Sequence, residues 1–178
     1  MEHIGLKRNE VRVVEYRPEW ASHYQVEAAR VRACAGDLIT DVQHIGSTAV
    51  PGLPAKPILD IAIAVPDRGA VPVVVKRLVE VGYSDRGYQE ATGGHLLIKD
   101  REPDVRTVHL HIVETADSPW RNYIMFRDLL RRDPVIRKKY AKLKKRLARN
   151  FPDDRKSYTE GKDTFIRGVL NSDSPTKR

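Results

Sequence analysis

Seventeen residues, His44-Ile-Gly-Ser-Thr-Ala-Val-Pro-Gly-Leu-Pro-Ala-Lys-Pro-Ile-Leu-Asp60, hold most of the chemistry this sequence offers. Gly46 lets backbone N–H groups come close to an anion, and the hydroxyls of Ser47 and Thr48 can donate to phosphate oxygens. Lys56 adds a cation at the far side of the loop. Asp60 follows on an apolar run, where it can hold a divalent metal over the same phosphates. This is a minimal layout for gripping a nucleoside triphosphate with magnesium. It is not a Walker A loop, because the Gly-x-x-x-x-Gly-Lys-Ser/Thr spacing is absent. Taken singly, a Gly-Ser turn is only a turn, and a strand aspartate can be satisfied by backbone N–H groups. Taken together, a carboxylate in an apolar strand just after a rigid Gly/Pro loop calls for a cation beside it, since an unpaired buried charge is costly.

Further along, His109 and His111 alternate with Val108, Leu110 and Ile112, so the two imidazoles share one strand face. They either converge on one metal ion or form a pair of sheet-face histidines. His44 precedes Gly46 by two residues and can face the same cleft. Arg127 and Arg131 stand one helical turn apart, so they either clamp an anion or pair with Asp128 and Asp133.

The elements that must position these groups follow from periodicity and punctuation. Trp20, Tyr24, Ala28, Val31 and Ala35 form one apolar stripe of a helix that opens at Pro18-Glu19 and ends at Gly36-Asp37. Asp41 to Ile45 reads as a short strand, and Gly46 to Pro57, rich in glycine and proline, as a loop of defined shape. Ile58 to Val65 is nearly all apolar and β-branched, as a buried central strand requires. Val71 to Val81 predicts a crossover helix capped by Gly82, followed by strands at His95–Lys99 and Val105–Glu114. Ser118-Pro119 and Asp133-Pro134 open two helices, the second reaching about Asn150. A last helix spans roughly Arg155 to Leu170. The order predicts an α+β (α/β-like) fold: a mixed sheet with one crossover, then a helical C-terminal block. Residues 1–171 are expected to form one domain, with 172–178 as a disordered tail and the first ten residues prone to fraying.

Composition bounds the partners. The chain has 178 residues and a net charge of +8, with 32 Lys and Arg against 24 Asp and Glu. The excess is local: from Trp120 to Asn171 the count is 16 basic to 6 acidic residues. Such a balance implies anionic company, a nucleotide or another phosphate ester. Nucleic acid is disfavoured: the basic run on the fourth helix reads as a solvated face, with Tyr140, Leu143 and Leu147 as its apolar stripe, and stacking aromatics are scarce at 7%. One cysteine, Cys34, excludes an intramolecular disulfide framework and a cysteine-based zinc site. No apolar run is long enough to span a bilayer and no signal core precedes the first helix, so a cytoplasmic location is expected and no membrane contact.

From Val14 to Gly168 the chain resembles the GrpB family, within the nucleotidyltransferase-fold superfamily. The resemblance is carried by Tyr16-Arg17-Pro18-Glu19-Trp20, by His44 through Leu53, and by Ala55-Lys56-Pro57 and Asp60-Ile61. It continues through His109-Leu110-His111-Ile112-Val113, Phe126-Arg127-Asp128 with Leu130-Arg131, Tyr140 through Lys144, Asp154-Arg155, Tyr158 and Lys162. It implies a nucleotidyltransferase-type mixed sheet flanked by helices, with the Gly46-Ser47 element and Asp60 at a nucleotide site. Nucleotidyltransferases place two carboxylates at alternate positions of one strand and a third on a neighbour. Here the alternate partner of Asp60 is Ala62, and the neighbouring strand offers His109 and His111. Relatives often carry Glu before the His-Ile-Gly-Ser element, where this chain has Gln43.

The implied function is transfer of a nucleoside monophosphate from a nucleoside triphosphate to an acceptor. Gly46, Ser47, Thr48 and Lys56 would hold the phosphates, and Arg127, Arg131 and Lys162 the acceptor side. Asp60 with His109 and His111 would hold a divalent ion, and His44 would act as a general base. Magnesium prefers oxygen ligands and imidazole suits softer ions, so the set is open to Mg2+ or Mn2+ and to Zn2+ or Ni2+. Fusion of relatives to dephospho-CoA kinase implies an alternative: a non-catalytic phosphate-ligand module assisting a partner enzyme of coenzyme A synthesis.

Overall fold

The structure, a computed structural model, describes residues 4–172. A six-stranded sheet is built from β1 (Leu6–Lys7), β2 (Asp41–Ile45), β3 (Leu59–Val65), β4 (Ser84–Gln89), β5 (Gly94–Glu102) and β6 (Val105–Glu114). Its order is β2-β3-β6-β5-β4, with β1 pairing β6. Only β3 and β6 run parallel. β4 carries Ser, Asp, Arg, Gly, Tyr and Gln with no apolar alternation, which is why periodicity does not announce it. It is an edge strand, where exposed polar residues are tolerated.

α1 (Glu19–Ala35) buries Trp20, Ala28, Val31 and Ala35, the stripe the sequence spells out. α2 (Ala70–Glu80) buries Val74 and Leu78. Both pack with Leu59, Ile61, Ile63, Val65, Val108, Leu110 and Ile112 in the main core. These are alternate residues of β3 and β6, so they define one sheet face. The opposite face meets α3 (Ser118–Arg132), which contacts β2, β3 and β6.

α4 (Pro134–Asn150) starts where the Asp133 carboxylate accepts from the N–H groups of Val135 and Ile136, at 2.7 and 3.0 Å. The expected single terminal helix is two: α5 (Arg155–Glu160) and α6 (Asp163–Ser172), interrupted at Gly161-Lys162. At Gly161 a Cβ would lie 2.6 Å from a Leu147 methyl, so a side chain there would make Leu147 shift.

The N-terminus is not frayed from residue 4 onward. Ile4 and Leu6 are buried, and the Gly5 N–H donates to the Pro57 carbonyl at 2.8 Å. Val14 and Ala55 exchange two backbone hydrogen bonds at 2.9 Å. The N-terminal segment thereby pins the far end of the Gly/Pro loop. Of the expected tail, Ser172 closes α6 and residues 173–178 lie outside the described residues. Among the described residues, no helix is long and apolar enough to cross a membrane.

Candidate functional site

The parallel pairing of β3 and β6 sets Asp60 opposite His109 and Ala62 opposite His111. Alternation then sends Asp60, His109 and His111 away from the α1/α2 core, toward the side occupied by the C-terminal helices. Asp60 Oδ1 lies 3.0 Å from His109 Nδ1 and 3.7 Å from His111 Nε2. One donor atom from each residue falls within 4.8 Å of the other two. The Tyr123 hydroxyl sits 3.4 Å from His111 Nδ1, a contact that orients the ring with Nε2 toward Asp60.

Burial opposes ionisation of Asp60, but the hydrogen bond with His109 and the nearby His111 ring outweigh it and hold the carboxyl well below its usual range. Burial pushes His109 down to about 4 despite its bond to Asp60. Near neutral pH the site therefore presents a carboxylate beside an uncharged His109. The Asp60 side chain keeps 34% of its surface open, so the group is enclosed without being sealed.

Gly46 closes over this carboxylate. Its φ is +65°, and a Cβ there would stand 2.6 Å from Asp60 Oδ2. Glycine is required twice over, by the left-handed backbone and by the close approach. Residues Ser47–Ala49 then form a single 3-10 turn. The Ser47 hydroxyl accepts from the Lys144 ammonium at 2.8 Å, and Lys144 also donates to the Pro54 carbonyl. The Lys56 and Lys162 ammonium groups lie 4.8 and 4.9 Å from the centroid of the same Tyr158 ring. Burial first, then the charges of Lys162 and Arg155, bring Lys56 down to about 7.

The structure thus gathers Asp60, His109, His111, Gly46, Ser47, Lys56 and Lys162 at one place. Four other candidates have different neighbours. His44 pairs with Ile61 across β2 and β3, which points it to the opposite sheet face. There it stacks on Tyr24, with ring centroids 4.7 Å apart, and shares a 3.0 Å hydrogen bond with the Thr48 hydroxyl. The expectation that His44 faces the Asp60 cleft as a general base is corrected: alternation along β2 turns its ring into the α1 layer. The Thr48 hydroxyl is likewise engaged inward, on a residue that is buried. Arg127 donates to Gln43 Oε1 at 2.8 Å and to the His44 carbonyl at 3.0 Å. Arg131 donates twice to the Ala49 carbonyl, at 3.0 and 2.8 Å. Both arginines brace β2 and the Gly-Ser-Thr turn against α3, and their hydrogen bonds run to the protein.

Sequence reading assigns no site role to Lys144, Arg155, Tyr123 or Tyr158, although the family resemblance runs through all of them but Tyr123. For Lys144 a signal exists: it lies four residues after Tyr140 and three before Leu147, on the face that α4 buries. Its membership of a lysine-rich run masks that periodicity. Arg155 has no such periodicity, because its burial depends on how α5 docks.

The family model described as "GrpB protein" matches residues 10–172. The "Glutamate-rich protein GrpB" of Alkalihalophilus pseudofirmus is 34% identical over 94% of this chain and 98% of the relative. The "UPF0157 protein YqkA" of Bacillus subtilis is 35% identical over 93% of this chain, which spans 47% of that relative. A "Dephospho-CoA kinase" of Mycolicibacterium paratuberculosis is 27% identical over 91% of this chain and 46% of the kinase. Among solved structures, the conserved protein GrpB from Enterococcus faecalis superposes with a TM-score of 0.81 at 33% identity, covering 90% of this chain and 96% of that one. A Cid1 poly(U) polymerase bound to MgGTP gives 0.53 at 12% identity over 76% of this chain and 44% of that one, a likeness of fold alone. Matched over nearly its whole length by the family model and by these relatives, the chain belongs to the GrpB family and has a nucleotidyltransferase-type fold.

Proposed function

We propose that this protein binds a nucleoside triphosphate together with one divalent ion at the Asp60 cleft, and transfers the nucleoside monophosphate to an acceptor hydroxyl. The observation that carries this reading is the convergence of Asp60, His109 and His111 directly under the Gly46-Ser47 turn. One carboxylate oxygen and two imidazole nitrogens suit a single Mn2+, Zn2+ or Ni2+ better than a magnesium pair. An ion held there supplies Lewis-acid neutralisation of phosphate charge.

The chain's own residues do the rest. The Ser47 turn and Lys56 bind phosphate oxygens, and Gly46 lets the backbone pass close to them. Lys162, which shares the Tyr158 ring with Lys56, joins the phosphate side rather than a separate acceptor side. In the reaction the acceptor oxygen bonds to the α-phosphorus as the bond from that phosphorus to the bridging oxygen breaks. Pyrophosphate leaves, and the hydroxyl proton passes to water.

A second reading, binding without transfer in support of a partner such as an enzyme of coenzyme A synthesis, is favoured by the acid count. Asp60 is the one carboxylate in the cluster, and Ala62 occupies the alternate strand position. The likeness to a dephospho-CoA kinase supports the choice of partner. Titration calorimetry with Mn2+ and a non-hydrolysable nucleotide, beside an assay of pyrophosphate release, separates the readings. Asp60→Ala is expected to weaken ion binding by about tenfold to a hundredfold. Unchanged ion and nucleotide affinity in that variant removes both readings; binding with no pyrophosphate released leaves the second.

A further inference from the structure

The C-terminal helices bring more positive charge to the cleft than Asp60 can balance. Lys144 of α4 is 2% exposed, with its ammonium on Ser47 Oγ and the Pro54 carbonyl. Lys56 and Lys162 lie against one Tyr158 ring. Arg155, at the start of α5, has Nε and Nη2 buried with no hydrogen-bond partner. The Asp60 charge reaches all four basic groups, and that of Lys162 reaches both Lys56 and Lys144.

The acids nearby are already engaged. Asp60 is shared by two histidines, Asp163 stands 3.8 Å from Arg167, and Asp154 accepts from Ser157. Among the described residues, none of the four cations is ion-paired with a carboxylate. Such a cluster is costly unless an anion fills it.

We propose that Lys56, Lys144, Lys162 and Arg155 form a pocket for a linear polyphosphate group, pyrophosphate or triphosphate, and that the protein binds this group without metal and without a nucleoside. A chain of two or three phosphates brings roughly three to four negative charges, enough to draw full protonation onto Lys56 and Lys144, which burial otherwise pushes down, and to pair with Lys162 and Arg155 as well; a single phosphate brings about two. This deepens the nucleotide reading by naming the part of the ligand that is recognised, and rests on that reading for the place of the nucleoside beside Asp60.

Metal-stripped protein is titrated with sodium tripolyphosphate at pH 7, then with pyrophosphate, ATP and adenosine. Tripolyphosphate and ATP are expected to bind and adenosine not to. Lys162→Gln and Arg155→Gln should each weaken tripolyphosphate by about tenfold. Lys162→Arg should restore most of the loss, and Lys138→Gln, exposed on α4, should change nothing. Absence of binding to the metal-stripped protein overturns the proposal. So do Lys162→Gln and Arg155→Gln proteins that melt and bind like the parent. A parallel Mn2+ titration tells the two ideas apart. Tripolyphosphate binding without Mn2+ binding leaves the pocket and removes the metal-dependent reading. The reverse leaves that reading and removes the pocket.

Discussion

Gly46 sits where a backbone with φ of +65° passes over the Asp60 carboxylate, and a methyl group there would meet Oδ2 at 2.6 Å. Gly46→Ala is therefore expected to lose about 1–3 kcal/mol of stability, from left-handed strain and the displaced carboxylate together. Urea denaturation measures the loss, and Mn2+ affinity should fall in the same variant. Gly52, also at positive φ, has open space around it, so Gly52→Ala should cost less and leave Mn2+ affinity alone. Equal losses at the two positions would sink the close-approach argument. The sequence places glycine at both positions and does not distinguish them, because the difference is the proximity of a residue fourteen positions away.

At the scale of elements, α3 works as a brace. Arg131 holds the Ala49 carbonyl with two donors, and Arg127 reaches Gln43 and the His44 carbonyl. Both residues are part of the sequence pattern as possible anion clamps, and the sequence equally allows them a structural partner. What settles the matter is the packing of α3 across β2, which turns both guanidiniums onto backbone carbonyls. Arg131→Met keeps the aliphatic stem and removes both donors, leaving the Ala49 carbonyl without this partner. The expected cost is about 1–3 kcal/mol, read by thermal and urea unfolding. The 46–50 turn should exchange amide hydrogens faster in that variant. Exchange unchanged across the turn would show that α3 does not hold it. The split between α5 and α6 makes a similar point: the interruption at Gly161-Lys162, where Gly161 comes up against Leu147, leaves Lys162 beside Tyr158.

The whole molecule carries a pH signature from the two faces of its sheet. Burial first of all holds His44 at about 4, against the pull of Asp60 and with the push of Arg131 and Arg127. Burial holds His109 at about 4 as well, with Asp60, His111 and Lys56 facing it. Both values lie below the ordinary 6.5, so between pH 6.5 and 4 the unfolded chain binds protons that the folded chain does not. The stabilisation is complete above pH 6.5 and falls as the pH drops through that window, by about 3 kcal/mol for each histidine at pH 4. Urea midpoints at pH 7 and pH 4.5 should differ accordingly, and His44→Phe should flatten part of the slope. Midpoints that coincide would contradict the burial of both rings. The amino-acid order alone determines the apolar stripe of α1, the central strand β3, the Gly-Ser turn and the pair of histidines on one face of β6, because each depends on spacing within a single element. Tertiary structure alone decides which side of the sheet each imidazole occupies relative to Asp60, and that Arg155 turns inward. Those outcomes depend on strand register and helix docking, which join residues far apart along the chain and leave no local periodicity to read.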